Sequence, residues 1–348
     1  MRKYLVIFAI VLFLKINLAY TCTRVVYLGP QETIITARSM DWPRDIGTNI
    51  WVLPRGIKRD GAAGKNTLKW TSKHGSIVSS VFDAATADGM NEKGLVANLL
   101  YLVESSYPQP GKNEKRLPMS ISLWAQYMLD NFASVTEAVQ SVSKENFYIV
   151  PVNTPDGEPG TVHLALSDAS GDSAIFEYLN GKLVIHHGRE FQVMTNSPSY
   201  DQQLALDSYW QQIGGATMLP GTSRAADRFA RASYYIKITP QTSHAHDAIT
   251  GVLSVIRNVS TPMGVSLPNQ PNIAPTLWRT LSDQKNKRYY FESTKSPSIF
   301  WIDLADLDFQ AGKPTKKLAL SKNTFLAGNS NHKLVDSQPF KFLAAPVK

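Results

Sequence analysis

The chain has 348 residues and a formal net charge of +8, with 36 Lys and Arg against 28 Asp and Glu, a single cysteine, and glycine and proline scattered along it. That length can bury a sizeable core as one large or two ordinary domains, and the composition excludes a disordered, collagen-like or solenoid chain. One cysteine excludes an internal disulfide. Basic residues in no long run, with no nucleic-acid motif, read as solvated lysines and not as a polyanion-binding surface.

Residues 1–21 have the form of a secretory signal: Arg2 and Lys3, an apolar run from Tyr4 to Leu14, then small Ala19. The run is too short for the roughly 20 residues that span a bilayer, and no later run is longer. The expectation is an exported protein, periplasmic or secreted, with no stable membrane anchor once the leader is gone. Losing Arg2, Lys3 and Lys15 leaves 33 basic residues against 28 acidic ones, still mildly basic.

Beyond the leader, Thr23–Leu28 and Thr33–Ser39 are β-rich runs around a Gly29-Pro30 turn and read as a hairpin. Ile50–Leu53 and Ser76–Phe82 are further strands, with Arg55–Asn66 as an exposed loop between them. Asp88–Gly94 is dense in turn residues, and Leu95–Val103 suits a buried strand. Ser120 to about Phe132 and Ser134 to about Val142 read as helices with serine caps. Strands follow at Val162–Ser167, Ser173–Leu179 and Leu183–His187, the last two joined by a tight Asn180-Gly181 turn. Phe191–Asn196 is one more strand. Helical patterns occupy Tyr200–Gln212, Ala225–Lys237 and His244–Val259, and strands return at Thr276–Asp283, Arg288–Ser293 and Ser298–Leu304. Strands in blocks and helices in blocks argue for an α+β layered fold, with residues 22–348 as one domain.

Cys22 is the chemically loaded position. If the chain is cut just ahead of it, one residue carries both a thiol and a free α-amine, whose reference pKa values of about 8.5 and about 7.7–8.0 let a proton pass between them near neutral pH. The cut falls either after Thr21, or after Ala19 with Tyr20-Thr21 as a short propeptide removed later. A rival reading makes Cys22 the lipidated residue of a lipoprotein with a binding role. The bulky Tyr20 and Thr21 fit a lipidation signal badly. His244-Ala245-His246-Asp247 and the His186-His187 pair lack further ligands at fixed spacing and read as surface or helix-face histidines, so neither a metal nor a cofactor is implied.

Cys22, Ala37-Arg38-Ser39-Met40-Asp41-Trp42, Asn91-Glu92-Lys93-Gly94-Leu95, Thr195-Asn196-Ser197-Pro198 and Asp227-Arg228-Phe229, in that order, resemble the choloylglycine hydrolase family of penicillin V acylases and conjugated bile salt hydrolases. The resemblance implies a four-layer αββα sandwich of the N-terminal-nucleophile hydrolases. It also implies an amidase that passes the acyl group of an N-acyl substrate through a thioester on Cys22. It places Arg38 beside the thiol and Asp41 on the α-amine. Asn196 and the backbone N–H of Tyr101 form the oxyanion hole, and Arg228 is the second active-site arginine. Trp42 is a candidate wall of the acyl site. Read alone, Arg38 is equally a strand-end arginine, Asp41 a turn cap before Pro43, Asn196 part of an Asn-Ser-Pro turn, Arg228 a solvated helix arginine and Trp42 a core tryptophan; Asn98 competes with Tyr101 for its place. The exported leader and Met40-Asp41-Trp42 resemble the Gram-negative branch, associated with penicillin V and with long-chain N-acyl homoserine lactones. A bile salt hydrolase is the alternative. The family also implies a homotetramer.

Overall fold

The computed structural model describes residues 21–346 apart from 112, 216, 266–273 and 321–324, so the leader lies outside the described residues. Two sheets lie face to face. Among the described residues one has seven strands in the order Val193–Met194, Thr23–Leu28, Ile34–Asp41, Thr276–Asp283, Arg288–Ser293, Ile299–Asp303, Gly328–Asn329. The other has nine: Lys182–His187, Ser173–Leu179, Val162–Ser167, Val96–Tyr101, Ala85–Asn91, Ser76–Val81, Ile50–Leu53, Lys316–Leu318, Val335–Asp336. All pairings within them are antiparallel except that of Ile299–Asp303 with Gly328–Asn329.

Alternation along the strands explains the layers, because successive side chains point to opposite faces of a sheet. Val25, Ala37 and Leu281 share one rung of the seven-stranded sheet and pack with Phe229, Ile249 and Val252 of the helices Ala225–Ile238 and Ala245–Asn258. On the nine-stranded sheet, Leu164, Leu166 and Phe176 join Trp124, Met128 and Leu129 of the helix Trp124–Asn131 and Val135 of the helix Val135–Val142. Those are the outer layers. The opposite faces meet each other and carry polar residues: Thr36 and Ser167 share a 2.6 Å hydrogen bond, as do Ser79 and Tyr289 at 2.8 Å. The arrangement is the αββα sandwich of the N-terminal-nucleophile hydrolases.

Many expected elements have the expected ends; Thr23–Leu28, Tyr200–Gln212 and Thr276–Asp283 match to the residue. Ser134 caps its helix by accepting from the Glu137 N–H at 3.2 Å. Elsewhere tertiary context overrides local signals. The turn expected from Asp88 is in part a strand, Ala85–Asn91, because partners satisfy the buried Asp88 carboxylate. Gly89 fits that strand because a Cβ there would stand 2.6 Å from the Ile77 carbonyl oxygen. The Arg55–Asn66 loop contains the short strand Lys58–Asp60, paired with Lys69–Thr71. Phe191–Asn196 shrinks to Val193–Met194, and the helix expected from Ser120 opens with a 3-10 turn at Ile121–Leu123. Leu117–Ser120 and Phe147–Val150 form a parallel pair that no local pattern announced.

Candidate active site

Register brings the site together. Arg24, Arg38 and Thr280 share a rung, one step from that of Val25, Ala37 and Leu281, so they face the second sheet. Cys22, two residues before Arg24, falls on the same side. On the second sheet, the Leu102 N–H bonds to the Thr161 carbonyl, which makes 102–161 the hydrogen-bonded pair and turns the backbone groups of Leu99 and Tyr101 the other way. Pairing with the neighbouring Ala85–Asn91 strand stops at Asn98, so the Leu99 and Tyr101 carbonyls are left for side chains. Arg38 Nη2 takes the first at 3.1 Å and Asn196 Nδ2 the second at 2.7 Å.

Around Cys22 the contacts are dense. Arg38 Nη2 lies 3.5 Å from its sulfur, and the guanidinium sits over the Trp278 ring at 4.8 Å from the centroid. The Met40 sulfur is 3.9 Å away. The nitrogen of Cys22 is here a peptide nitrogen, still joined to Thr21, and occupies the position of the α-amine that trimming would release. It donates to Asn196 Oδ1 at 2.6 Å. Arg228 Nη2 donates to the same oxygen at 2.8 Å, which fixes the orientation of the amide. Arg228 Nη1 also holds the Cys22 carbonyl at 2.6 Å and Thr23 Oγ1 at 2.5 Å.

Asp41 ends its strand opposite Thr276, where an irregularity in register between Thr276 and Trp278 displaces the ladder. Thr276 Oγ1 donates to Asp41 Oδ1 at 2.6 Å, while Oδ2 is buried and has no hydrogen-bond partner. Burial raises the Asp41 pKa to about 6, against the pull of Arg228 and the Thr276 hydroxyl. Burial likewise lowers Arg228 to about 10, with Asp41 and Cys22 pulling it back up. Arg38, Asp41 and Arg228 are thus interior groups, none of them a solvated strand-end, capping or helix-surface residue. Cys22 is 2% exposed, a burial that suits a nucleophile held inside a site and not a cysteine presented at the surface for lipidation.

The thiol opens on an apolar cavity of about 90 Å³ lined by Met40, Trp42, Phe82, Leu99 and Tyr101 among others. Trp42 stands edge-on to Tyr101, with centroids 6.4 Å apart, and its Nε1 donates to Asp156 Oδ2 at 2.9 Å. A larger cavity of about 700 Å³ shares Ile46 and Phe82 with the first but does not reach Cys22, so its size does not make it the reaction chamber. Asn98 donates to Asp88 Oδ2 instead and stands apart from Asn196.

All seven residues singled out from the sequence converge here. Three that the sequence did not single out join them: Thr276, Met40 and Asp156. Met40 sat inside the quoted motif; the other two carry no local signal, Thr276 lying 235 positions from Asp41. His186 packs between Phe191 and Tyr200, and among the described residues no group of three His, Cys, Asp or Glu could hold a metal ion.

A buried cysteine at the start of the first strand of an αββα sandwich, flanked by Arg, Asp and Asn, defines an N-terminal-nucleophile cysteine hydrolase. Residues 22–317 match the linear amide C–N hydrolases, choloylglycine hydrolase family, and the chain belongs to that family. A penicillin V acylase from Pectobacterium atrosepticum is 50% identical over 345 residues, 92% of each chain. The structure of a penicillin V acylase from Agrobacterium tumefaciens, 55% identical, superposes with a TM-score of 0.87 and covers 93% of this chain and 100% of that one. A bile salt hydrolase/transferase from Clostridium perfringens is 26% identical over 77% of this chain and 87% of its own length. The chain is therefore an enzyme, a hydrolase of linear C–N amide bonds.

Proposed function

We propose that the enzyme hydrolyses the amide of N-acyl substrates of the penicillin V type, long-chain N-acyl homoserine lactones included, with Cys22 as nucleophile. The observation that carries this is the pairing of the Cys22 sulfur, on Arg38 and at the head of an apolar cavity, with the Cys22 nitrogen on Asn196. Once trimmed, that nitrogen offers more protons than a peptide N–H. The partnerless Asp41 Oδ2 is the acceptor proposed for one of them, which would orient the lone pair toward the thiol. The amine takes the thiol proton, sulfur attacks the acyl carbon, and the amine returns the proton to the leaving nitrogen. Water then opens the thioester, again with the amine as base. Arg38 stabilises the thiolate.

The oxyanion donors proposed are Asn196 Nδ2 and the Tyr101 N–H. Asn196 Nδ2 now rests on the Tyr101 carbonyl and must share or leave that bond to serve. Arg228 fixes Asn196 and the Cys22 carbonyl. Trp42 would face the acyl group. The proposal includes removal of residues 1–21 during export, one folded unit from Cys22 onward, and assembly as a homotetramer; no helix among the described residues is long and apolar enough to cross a membrane.

The test is release of free amine from penicillin V, from an N-acyl homoserine lactone and from glycine- or taurine-conjugated bile salts by trimmed protein. Faster turnover of the bile salts would overturn the assignment in favour of a bile salt hydrolase. No turnover of any of the three would overturn the substrate class.

A further inference from the structure

We infer that His163 and Glu177 are positioning residues, holding the Thr195–Asn196 peptide in place and through it the Asn196 amide on which the Cys22 nitrogen rests. The inference builds on the amidase assignment above. His163 and Glu177 are 1% and 0% exposed, on adjacent strands one step beyond the Leu164–Phe176 pair. His163 Nδ1 lies 2.9 Å from Glu177 Oε1, and Nε2 lies 2.8 Å from the Thr195 carbonyl oxygen. The Glu177 carboxylate also accepts the Tyr200 N–H at 3.2 and 3.1 Å, at the first residue of the helix that follows Asn196.

Hydrogen-bond chemistry fixes the tautomer. A carbonyl oxygen only accepts, so Nε2 must carry a proton, and a second proton lies between Nδ1 and Oε1. Whichever of those two atoms holds it, the link to Thr195 survives. A buried pair of this kind costs desolvation that an apolar pair would avoid, as the neighbouring Leu164 and Phe176 do. The structure shows what it holds. The Thr195 carbonyl is taken by His163, the Asn196 carbonyl by Gln203 Nε2 at 2.9 Å, and Thr195 Oγ1 donates to the Ala225 carbonyl at 3.1 Å. Asn196 is thereby clamped at both ends, with its amide 2.6 Å from the Cys22 nitrogen and 2.7 Å from the Tyr101 carbonyl. Misplacing a reacting group by about 1 Å costs on the order of a hundredfold in rate.

The experiment compares His163→Leu, which removes the donor to Thr195, with Glu177→Gln. In the latter the amide N–H can donate to Nδ1 and its oxygen can accept from Tyr200, leaving Nε2–H on Thr195. The readouts are kcat and KM on penicillin V, the melting temperature, and the rate at which iodoacetamide alkylates Cys22, the only thiol in the chain. His163→Leu is expected to lower kcat about 10–100-fold with KM within about threefold, and to slow alkylation in parallel. Glu177→Gln should stay within about threefold of wild type in both. Should His163→Leu fail to fold, Glu177→Leu against Glu177→Gln makes the same comparison, with the same split expected. A folded His163→Leu with unchanged kcat and alkylation, a loss confined to KM, or a Glu177→Gln as impaired as His163→Leu would each overturn the inference. Wild-type Cys22 that alkylates no faster than free cysteine would refute the amidase assignment and this inference together. Fast wild-type alkylation that is unaltered in His163→Leu would refute the inference alone. Where penicillin V is not turned over, alkylation decides.

Discussion

The outer layers and the space between the sheets are built on different terms. Outside, Leu164 and Phe176 of the sheet bury apolar surface against Trp124 and Leu129 of a helix, and any side chains of similar volume and shape would serve. Between the sheets, Arg24, Arg38, Asp41, Asp88, His163, Glu177 and Tyr289 are buried, each with at least one polar atom held by a particular partner, while Asp41 Oδ2, Arg24 Nε and Arg38 Nη1 have none. Burying such groups costs free energy that hydrogen bonds only partly return. The difference teaches that the first region specifies the fold, and that the second holds groups in place for chemistry at the expense of stability.

Substitutions can break that contrast. Cys22→Ser should abolish most turnover while leaving the melting temperature unchanged, because a hydroxyl is the poorer nucleophile at neutral pH; full turnover of penicillin V by this variant would end the mechanism. Asn196→Ala should lower kcat by about 10²–10³ with little change in KM, and a change confined to KM would show that it gives no help to the transition state. Leu164→Ala, in the outer layer, should do the converse: a loss of about 2–5 kcal/mol in denaturant unfolding with kcat of the folded fraction intact.

Asp41 sharpens the comparison through pH. Its pKa in the folded, untrimmed chain is about 6, above the roughly 3.9 of an unfolded aspartate. Its contribution to stability is therefore fully present below about pH 4 and is lost as pH rises through about 6. Asp41→Asn should flatten the stability profile between those values, measured by denaturant unfolding across the range; an unchanged slope would mean the carboxyl is not the group titrating there. The smallest effect is expected for Trp42→Phe, which keeps the ring wall and loses the bond to Asp156: KM up about two- to threefold, kcat steady.

How much of this was legible beforehand follows the same division. Apolar alternation marked Val162–Ser167 and Ser173–Leu179 to the residue, and the Asn180-Gly181 turn between the second of these and its neighbour, because their outer faces are ordinary. Cys22 could be read from its place just after the leader, whereas Arg38 and Asp41, read alone a strand-end arginine and a turn cap, took their roles from the resemblance. Arg228 could be named only by resemblance; helical periodicity does not distinguish a solvated arginine from one sealed against a backbone carbonyl. Asp88 looked like a turn former because its partners, Tyr289 and Asn98, come from other strands. Thr276 and His163 gave no signal, since each matters through a contact fixed by sheet register across long stretches of chain.

Thr21 carries a consequence for the order of events in the life of the chain. It is 2% exposed, its hydroxyl donates to the Ala274 carbonyl at 2.9 Å, and the bond joining it to Cys22 lies inside the site. Peptidases act on open, accessible stretches of chain, and this bond is not one once the sheets have closed over it. Under the trimming proposed above, an outside peptidase would have to cut before folding is complete, whereas a cut made afterwards would fall to the groups already gathered around Cys22. On that proposal maturation and folding would compete in time, and a folded precursor would be the species to catch in a pulse-chase of the newly made chain.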